Sequence, residues 1–188
     1  MAIVELLRRF CFAYLAMLFN LLSNVIRALG DSRTPLYFLV LACVLNIVLD
    51  LALILRLLTG PGDRVVVDHP TYPLAIAAIQ GASCRPVGVS LPEHGWDTAG
   101  LVATIAQTAP RMAYLMPDFH NPTGRCMDAA TRQVVADIAE RTRTTLVIDE
   151  TMVNLWYDAP PPPPLAAFNR DAPIILLGSA GKSFWGGL

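Results

Sequence analysis

At 188 residues the chain is long enough for one ordinary core or for part of a larger domain. Its formal net charge of -1 offers no basic face of the kind a nucleic-acid partner requires, so no nucleic acid is expected on this chain. Hydrophobic residues make up 54% and charged residues only 15%, with a mean hydropathy of +0.49, which speaks against one uniform soluble domain and for a membrane-like segment.

The first ten residues place positive charge before an apolar run, but no small-residue cleavage site follows, so no secretory signal is expected. Apolar stretches then cover residues 10–29 and 35–58. Between them, Gly30-Asp31-Ser32-Arg33-Thr34-Pro35 reads as a helix stop, a polar turn and a helix start, because glycine suits a C-terminal cap and proline a first helical turn. The pattern predicts a hydrophobic helical hairpin over 1–55, each arm near the roughly 20 residues that a membrane-crossing helix needs. Asn20, Ser23, Asn24 and Arg27 interrupt one arm and Asn46, Asp50 and Arg56 the other. Such residues normally face a bundle or a cavity, since a central charge exposed to lipid costs about 2.5–3.5 kcal/mol. Membrane association through residues 10–58 is therefore one expectation.

After Leu58 the texture changes. Thr59-Gly60-Pro61-Gly62-Asp63 is a turn, and Arg64–Asp68 reads as a short buried strand followed by a helix from about Pro73 to Gln80. Further strands are predicted at Ser83–Val89, Met112–Met116, Thr145–Ile148 and Ile174–Leu177, with helices at about 98–108 and 128–141. Strands alternating with helices imply crossover connections, hence an α/β domain over 56–188 with a mainly parallel sheet. Pro160–Pro164 can be neither helix nor central strand and serves as a stiff connector. Cys11, Cys43, Cys84 and Cys126 lie far apart without a CxxC pair or a histidine cluster, so no metal site is expected.

Three motifs follow predicted strands and so fall together at the C-terminal edge of the sheet, where open parallel sheets bind ligands. They are Pro117-Asp118-Phe119-His120-Asn121-Pro122-Thr123-Gly124, Val147-Ile148-Asp149-Glu150, and the run Gly178 to Leu188 that contains Ser179 and Lys182. A desolvated lysine beside a Ser/Gly-rich turn can act as a nucleophilic amine toward a carbonyl, although a single lysine after a strand is usually a solvated surface group. An aspartate at a strand end can hold a cationic ring nitrogen or merely cap a helix, and an asparagine before proline can simply start a turn. It is the combination and order of the three that favours chemistry.

NPTG together with GS-x-x-K-x-F-W-G-G-L resembles the fold-type-I enzymes that use pyridoxal 5'-phosphate (PLP), of the aminotransferase class and most closely the aminotransferase-like domain of the MocR group. The resemblance runs from about Arg56 to Leu188. It implies a PLP-transferase-type large domain in which Lys182 is catalytic and holds the cofactor as a Schiff base. Asp149 would bind the pyridine nitrogen, Asn121 the ring's phenolic oxygen, and Tyr72 would stack on the ring, with Ser179 near the phosphate. The implied reaction is amino-group transfer between an amino acid and a keto acid, by a cytoplasmic homodimer; the MocR resemblance offers instead an effector-sensing domain of a transcriptional regulator. The sequence departs from the family where Thr151 and Met152 stand in place of a tyrosine, where the phosphate-binding turn ahead of Gly62-Asp63 is missing, and where the chain stops before an expected arginine and small domain. Weak or absent catalysis is expected on those grounds.

Residues 20–54, with RALGDSRTP at their centre, are similar to the MATE family of efflux transporters, which implies a membrane fragment. Residues 48–58 fit both a helix of that family and the helix that precedes PGD in PLP enzymes. The two resemblances together imply a chimera joined between about Asn46 and Arg56.

Overall fold

The computed structural model describes residues 25, 26, 30, 31, 33, 34, 37 and 50–178. Within the first group Gly30 takes φ +92°, and Asp31 Oδ1 accepts the backbone N–H groups of Arg33 and Thr34 at 3.0 Å each. The glycine thus stands in a left-handed conformation at the predicted stop, and Asp31 caps the start that follows, a role the sequence reading did not assign. The hairpin arms and their membrane association otherwise lie outside the described residues. Among the described residues, no helix is long and apolar enough to cross a membrane.

A helix over residues 50–58, α1, leads into the α/β unit. There follow β1 (Arg64–His69), α2 (Pro73–Gly81), β2 (Arg85–Ser90), α3 (Thr98–Thr108), β3 (Met112–Leu115), α4 (Ala129–Thr142), β4 (Thr145–Asp149), a short 3-10 turn (Leu165–Ala167) and β5 (Ile174–Leu177). The five strands form one sheet in the order β2-β1-β3-β4-β5, and every neighbouring pair is parallel. The fold is therefore α/β with a parallel sheet, as the alternation of strands and helices implies. Other boundaries shift by a single residue, but β2 begins at Arg85 rather than Ser83, because Ser83 occupies a left-handed conformation (φ 60°) in the turn that ends α2.

Side chains alternate across the sheet with period two, and helices cover both faces. On one face Val66, Ala113, Leu115, Leu146 and Ile148 meet Leu101 and Ile105 of α3 and Val135, Ala136 and Ala139 of α4. On the other, Val65, Val67, Met112, Tyr114 and Val147 meet Ala75 and Ile79 of α2 and Leu51 and Leu55 of α1. Helix starts are set by side-chain caps: Asp97 accepts from Gly100 N at 2.8 Å and Asp128 from Thr131 N at 2.7 Å.

Leu51 and Leu55 are fully buried while Leu53 and Leu57 point outward, so α1 presents one apolar stripe to the same core as β1 and β3. A boundary between residues 55 and 56 falls inside a helix whose inner face belongs to the sheet. Replacing Leu55 with alanine should lower the free energy of unfolding by about 2–5 kcal/mol, the range for a buried leucine. Chemical denaturation reads this directly; an unchanged midpoint would mean that α1 lies outside the cooperative unit.

Candidate functional site

Because β1, β3 and β4 are parallel neighbours, their C-terminal ends adjoin, and the order reverses between β1 and β3. Such a reversal leaves a crevice at the strand ends. Three segments line it: Asp68 to Tyr72 after β1, Met116 to Asn121 after β3, and Asp149 to Thr151 at the end of β4.

Asp149 is 1% exposed, and both its oxygens are held. Tyr114 pairs with Val147 across the β3–β4 ladder, so Asp149, two residues further on, shares its face. The Tyr114 hydroxyl accordingly donates to Asp149 Oδ2 at 2.5 Å, and the backbone N–H of Thr151 donates to Oδ1 at 2.9 Å. Burial and then the neighbouring Asp149 charge push the Tyr114 phenol far above its ordinary range, which keeps it a proton donor. Tyr72, the N-cap residue of α2, packs on the same cluster as Tyr114 and Val147, and burial followed by the Asp149 charge raises its phenol too. Among the described residues Asp149 has no ion pair. A buried carboxyl held only by neutral donors suits a cationic partner, and a protonated pyridine nitrogen is one. The donor set therefore fits the ring that the resemblance implies.

Asn121 lies on the loop after β3, where its backbone N–H donates to Met116 Sδ at 3.0 Å, and Met116 belongs to the same cluster as Tyr72. The loop is closed tightly. His120 N donates to Arg125 O at 2.8 Å, Gly124 N donates back to His120 O, and Gly124 takes φ 71°, a conformation that favours glycine. Ser179 and Lys182 lie outside the described residues; β5, which precedes them in the chain, pairs Leu177 with Asp149.

A second group of buried polar side chains sits at the same edge. Asp68 accepts from Trp96 Nε1 at 3.0 Å and from Met116 N at 3.4 Å, and His120 Nε2 approaches its Oδ2 at 3.7 Å. The rings of Trp96 and His120 meet edge to face with centroids 6.1 Å apart. Burial raises the Asp68 carboxyl to about 7 against the two donors that lower it. Burial, then the Arg125 charge, lowers the His120 imidazole. Both shifts favour neutral forms, so the 3.7 Å approach is a contact of weakly charged groups rather than an ion pair at neutral pH. Nearby, fully buried Arg132 donates from Nη2 to Asp118 Oδ1 at 2.5 Å, from Nε to Met127 O at 2.9 Å and from Nη1 to Pro163 O at 3.1 Å. One guanidinium thus ties the loop after β3 to α4 and to the proline run. Glu150 completes the edge, its carboxyl raised by burial first and by the Asp118 charge next.

The structure brings Tyr72, Asn121 and Asp149 to one edge. Sequence reasoning gave no role to Tyr114, Asp68, Trp96 or Arg132, and named Asp118 and His120 only as members of the loop motif. A strand-end aspartate after three valines was a usable signal for Asp68; Tyr114 and Arg132 lie inside a predicted strand and a predicted helix with nothing local to mark them. A cavity of about 610 Å³ opens at the opposite edge, lined by Arg64, Arg111 and Arg143 among others. There Arg64 Nη1 holds Thr108 O and Arg111 Nε holds Leu58 O, both at 2.9 Å, which is how cations serve the carbonyl ends of helices.

Comparison with known proteins agrees with this geometry. The family profile "Aminotransferase class I and II" matches residues 50–187. The chain is 26% identical over 167 residues to an uncharacterized HTH-type transcriptional regulator, YdfD, of Bacillus subtilis, a match covering 89% of this chain and 34% of that protein. It superposes on the multiple substrate aminotransferase of Thermococcus profundus with a TM-score of 0.64 at 28% identity, over 71% of this chain and 34% of the other. It superposes likewise on LysN, an alpha-aminoadipate aminotransferase of Thermus thermophilus complexed with N-(5'-phosphopyridoxyl)-L-leucine, at a TM-score of 0.65 and 27% identity, over 69% and 34% of the two chains. The chain spans about a third of the length of each of these relatives.

Two outcomes test the site's construction. Replacing Arg132 with methionine leaves Asp118 buried without its cation and should cost about 3–5 kcal/mol, measured by urea unfolding. For Asp68 the folded-state value lies above the unfolded one, so its contribution is fully present below about pH 4 and is lost as pH rises through about 7. Stability should therefore fall by up to a few kcal/mol between about pH 4 and 7 on this account. Asp68→Asn should flatten that slope, and an identical slope in the variant would remove Asp68 as its source.

Proposed function

Since this chain belongs to the aminotransferase class I and II family, we propose that it forms part of the large domain of a PLP-dependent protein that transfers an amino group between an amino acid and a keto acid. The observation that carries the reading is the buried Asp149 carboxyl, fixed by Tyr114 and Thr151 and without an ion pair among the described residues.

PLP, when bound, supplies an electron sink for charge that develops at the substrate's α carbon. Asp149 holds the ring nitrogen's proton by its charge, and Tyr114 and Thr151 hold Asp149. Tyr72 covers a ring face, Asn121 offers its amide to the ring's oxygen, and Ser179 serves the phosphate. The ε-amine of Lys182 would hold the cofactor covalently and, once displaced by the amine of the substrate, would be free to move the proton at the α carbon. A homodimer completes the assignment.

Similarity to a transcriptional regulator supports a second reading, in which the same site senses an amino compound without turnover. Addition of an amino acid and a keto acid to the PLP-loaded protein separates the two: the enzyme converts both, whereas the sensor shows a spectral shift and no product. Two observations weigh against a transporter-derived piece joined between Asn46 and Arg56. Leu51 and Leu55 sit in the α/β core, and the YdfD match takes in far more of the chain than residues 56–188. Sequencing one uninterrupted DNA molecule across the stretch decides it.

The direct test is the visible absorbance of the protein with PLP, before and after borohydride, followed by peptide mapping. The fixed adduct should map to Lys182 and vanish in Lys182→Ala. Asp149→Ala should weaken PLP binding about tenfold or more, the worth of a charge-assisted contact. An adduct on another lysine, or none in folded protein, would overturn the assignment.

A further inference from the structure

The cluster around Asp68 is built more carefully than a strand end needs. Its carboxyl reaches the loop after β3 at two points: the backbone N–H of Met116, where the loop begins, and the ring of His120, the residue before Asn121. On its other side it is fixed by the indole N–H of Trp96, which stands just before α3, and that indole also meets His120 edge to face. His120 is fully buried, its Nδ1 is engaged with Thr123 Oγ1 at 3.0 Å, and its Nε2 has no hydrogen-bond partner among the described residues. The Asn121 N–H in turn rests on the sulfur of Met116. The middle of the segment is held elsewhere, by Arg132 on Asp118, by Met127 N on Pro117 O and by Cys126 Sγ on Phe119 N, whereas Met116 N at its start and the His120 ring before Asn121 both lead to Asp68.

We propose that Asp68 is a positioning residue: held by Trp96, its carboxyl clamps the segment from Met116 to His120 and so fixes the amide that Asn121 presents at the site. This rests on the PLP reading only for what Asn121 contacts, not for the clamp itself. The groups that face Asp68 are Trp96 from the β2–α3 connection, Met116 and His120 from the loop, and Tyr114 from β3, with Arg125 acting on His120. None is a cation paired with it at neutral pH, so the clamp works through directed donors and is sensitive to loss of the acceptor rather than to salt.

The test has two arms on the full chain. Amide hydrogen exchange on cofactor-free protein should show the segment Met116–Gly124 exchanging about tenfold faster in Asp68→Ala, the equivalent of one lost hydrogen bond to a carboxylate. Asp68→Asn, which keeps an acceptor, should recover most of that protection, and Trp96→Phe should show a smaller loss, which keeps the test open if the alanine variant fails to fold. With PLP bound, the pH midpoint of the visible band should move in Asp68→Ala in the same direction as in Asn121→Ala, and the double variant should match Asn121→Ala alone. Unchanged exchange in the segment, or midpoint shifts that add in full, would overturn the clamp even if PLP binds. Faster exchange without PLP binding would uphold the clamp and remove the cofactor reading.

Discussion

Parallel pairing of β1, β3 and β4 is the constraint on which the site depends. Val67, Tyr114 and Val147 stand in register across three strands, and that register decides which residue arrives at the edge and on which face. A shift of one residue in β4 would carry Asp149 to the opposite face and away from the Tyr114 hydroxyl. Helices pack against both faces of these strands, whose side chains are buried and mostly apolar on each. Chemistry at the edge is thus inherited from packing in the middle.

That edge holds an unusual share of buried polar groups: Asp68, Asp118, His120, Arg132 and Asp149 are all essentially inaccessible. Burying such groups is costly unless donors and acceptors match; Asp118 Oδ2 and His120 Nε2 stay without a hydrogen-bond partner among the described residues, and the two aspartates are answered in different ways. Asp118 is answered by a full charge, whereas Asp68 is answered by neutral donors and drifts toward neutrality itself. The difference follows from what each must hold. Arg132 joins the Asp118 carboxylate and the carbonyls of Met127 and Pro163 with one rigid fork, a task for a cation; Asp68 accepts two N–H donors, one of them from the loop it aligns.

How far the sequence reveals this depends on whether a signal is local. Strands such as Val65–Val67 and Leu146–Ile148 are legible because β-branched and aliphatic runs stand between glycine, proline and polar residues. The NPTG loop and the strand-end Asp149 are legible because their residue types are uncommon in that order. Tyr114 is not, since Met112-Ala113-Tyr114-Leu115 is a plain core strand until Asp149 is known to lie beside it. Arg132 is hidden for the converse reason. Its helix also carries Asp137, Glu140 and Arg141, so a charged residue there looks solvated, and only the fold reveals that it points at Asp118. The start of β2 was misplaced because the left-handed turn at Ser83 uses no glycine there and leaves no mark in composition.

The two edges of the sheet are also electrostatically distinct, and connectivity alone produces the difference. In a chain of parallel strands joined by helices, every connecting helix starts near the strand C-terminal edge and ends near the other, so positive helix ends gather at one edge and negative ends at its opposite. Aspartates at 97 and 128 cap the starts of α3 and α4 on the site side, while Arg64 and Arg111 hold the carbonyl ends of α3 and α1 on the far side. The far cavity is roomy and rich in arginine, yet two of its guanidinium groups are already engaged in closing helices. The site edge holds buried carboxyls whose oxygens are aimed by neighbours. An aimed acceptor contributes to recognition without being reorganised when a ligand arrives, which guanidinium groups already spent on helix ends do not offer.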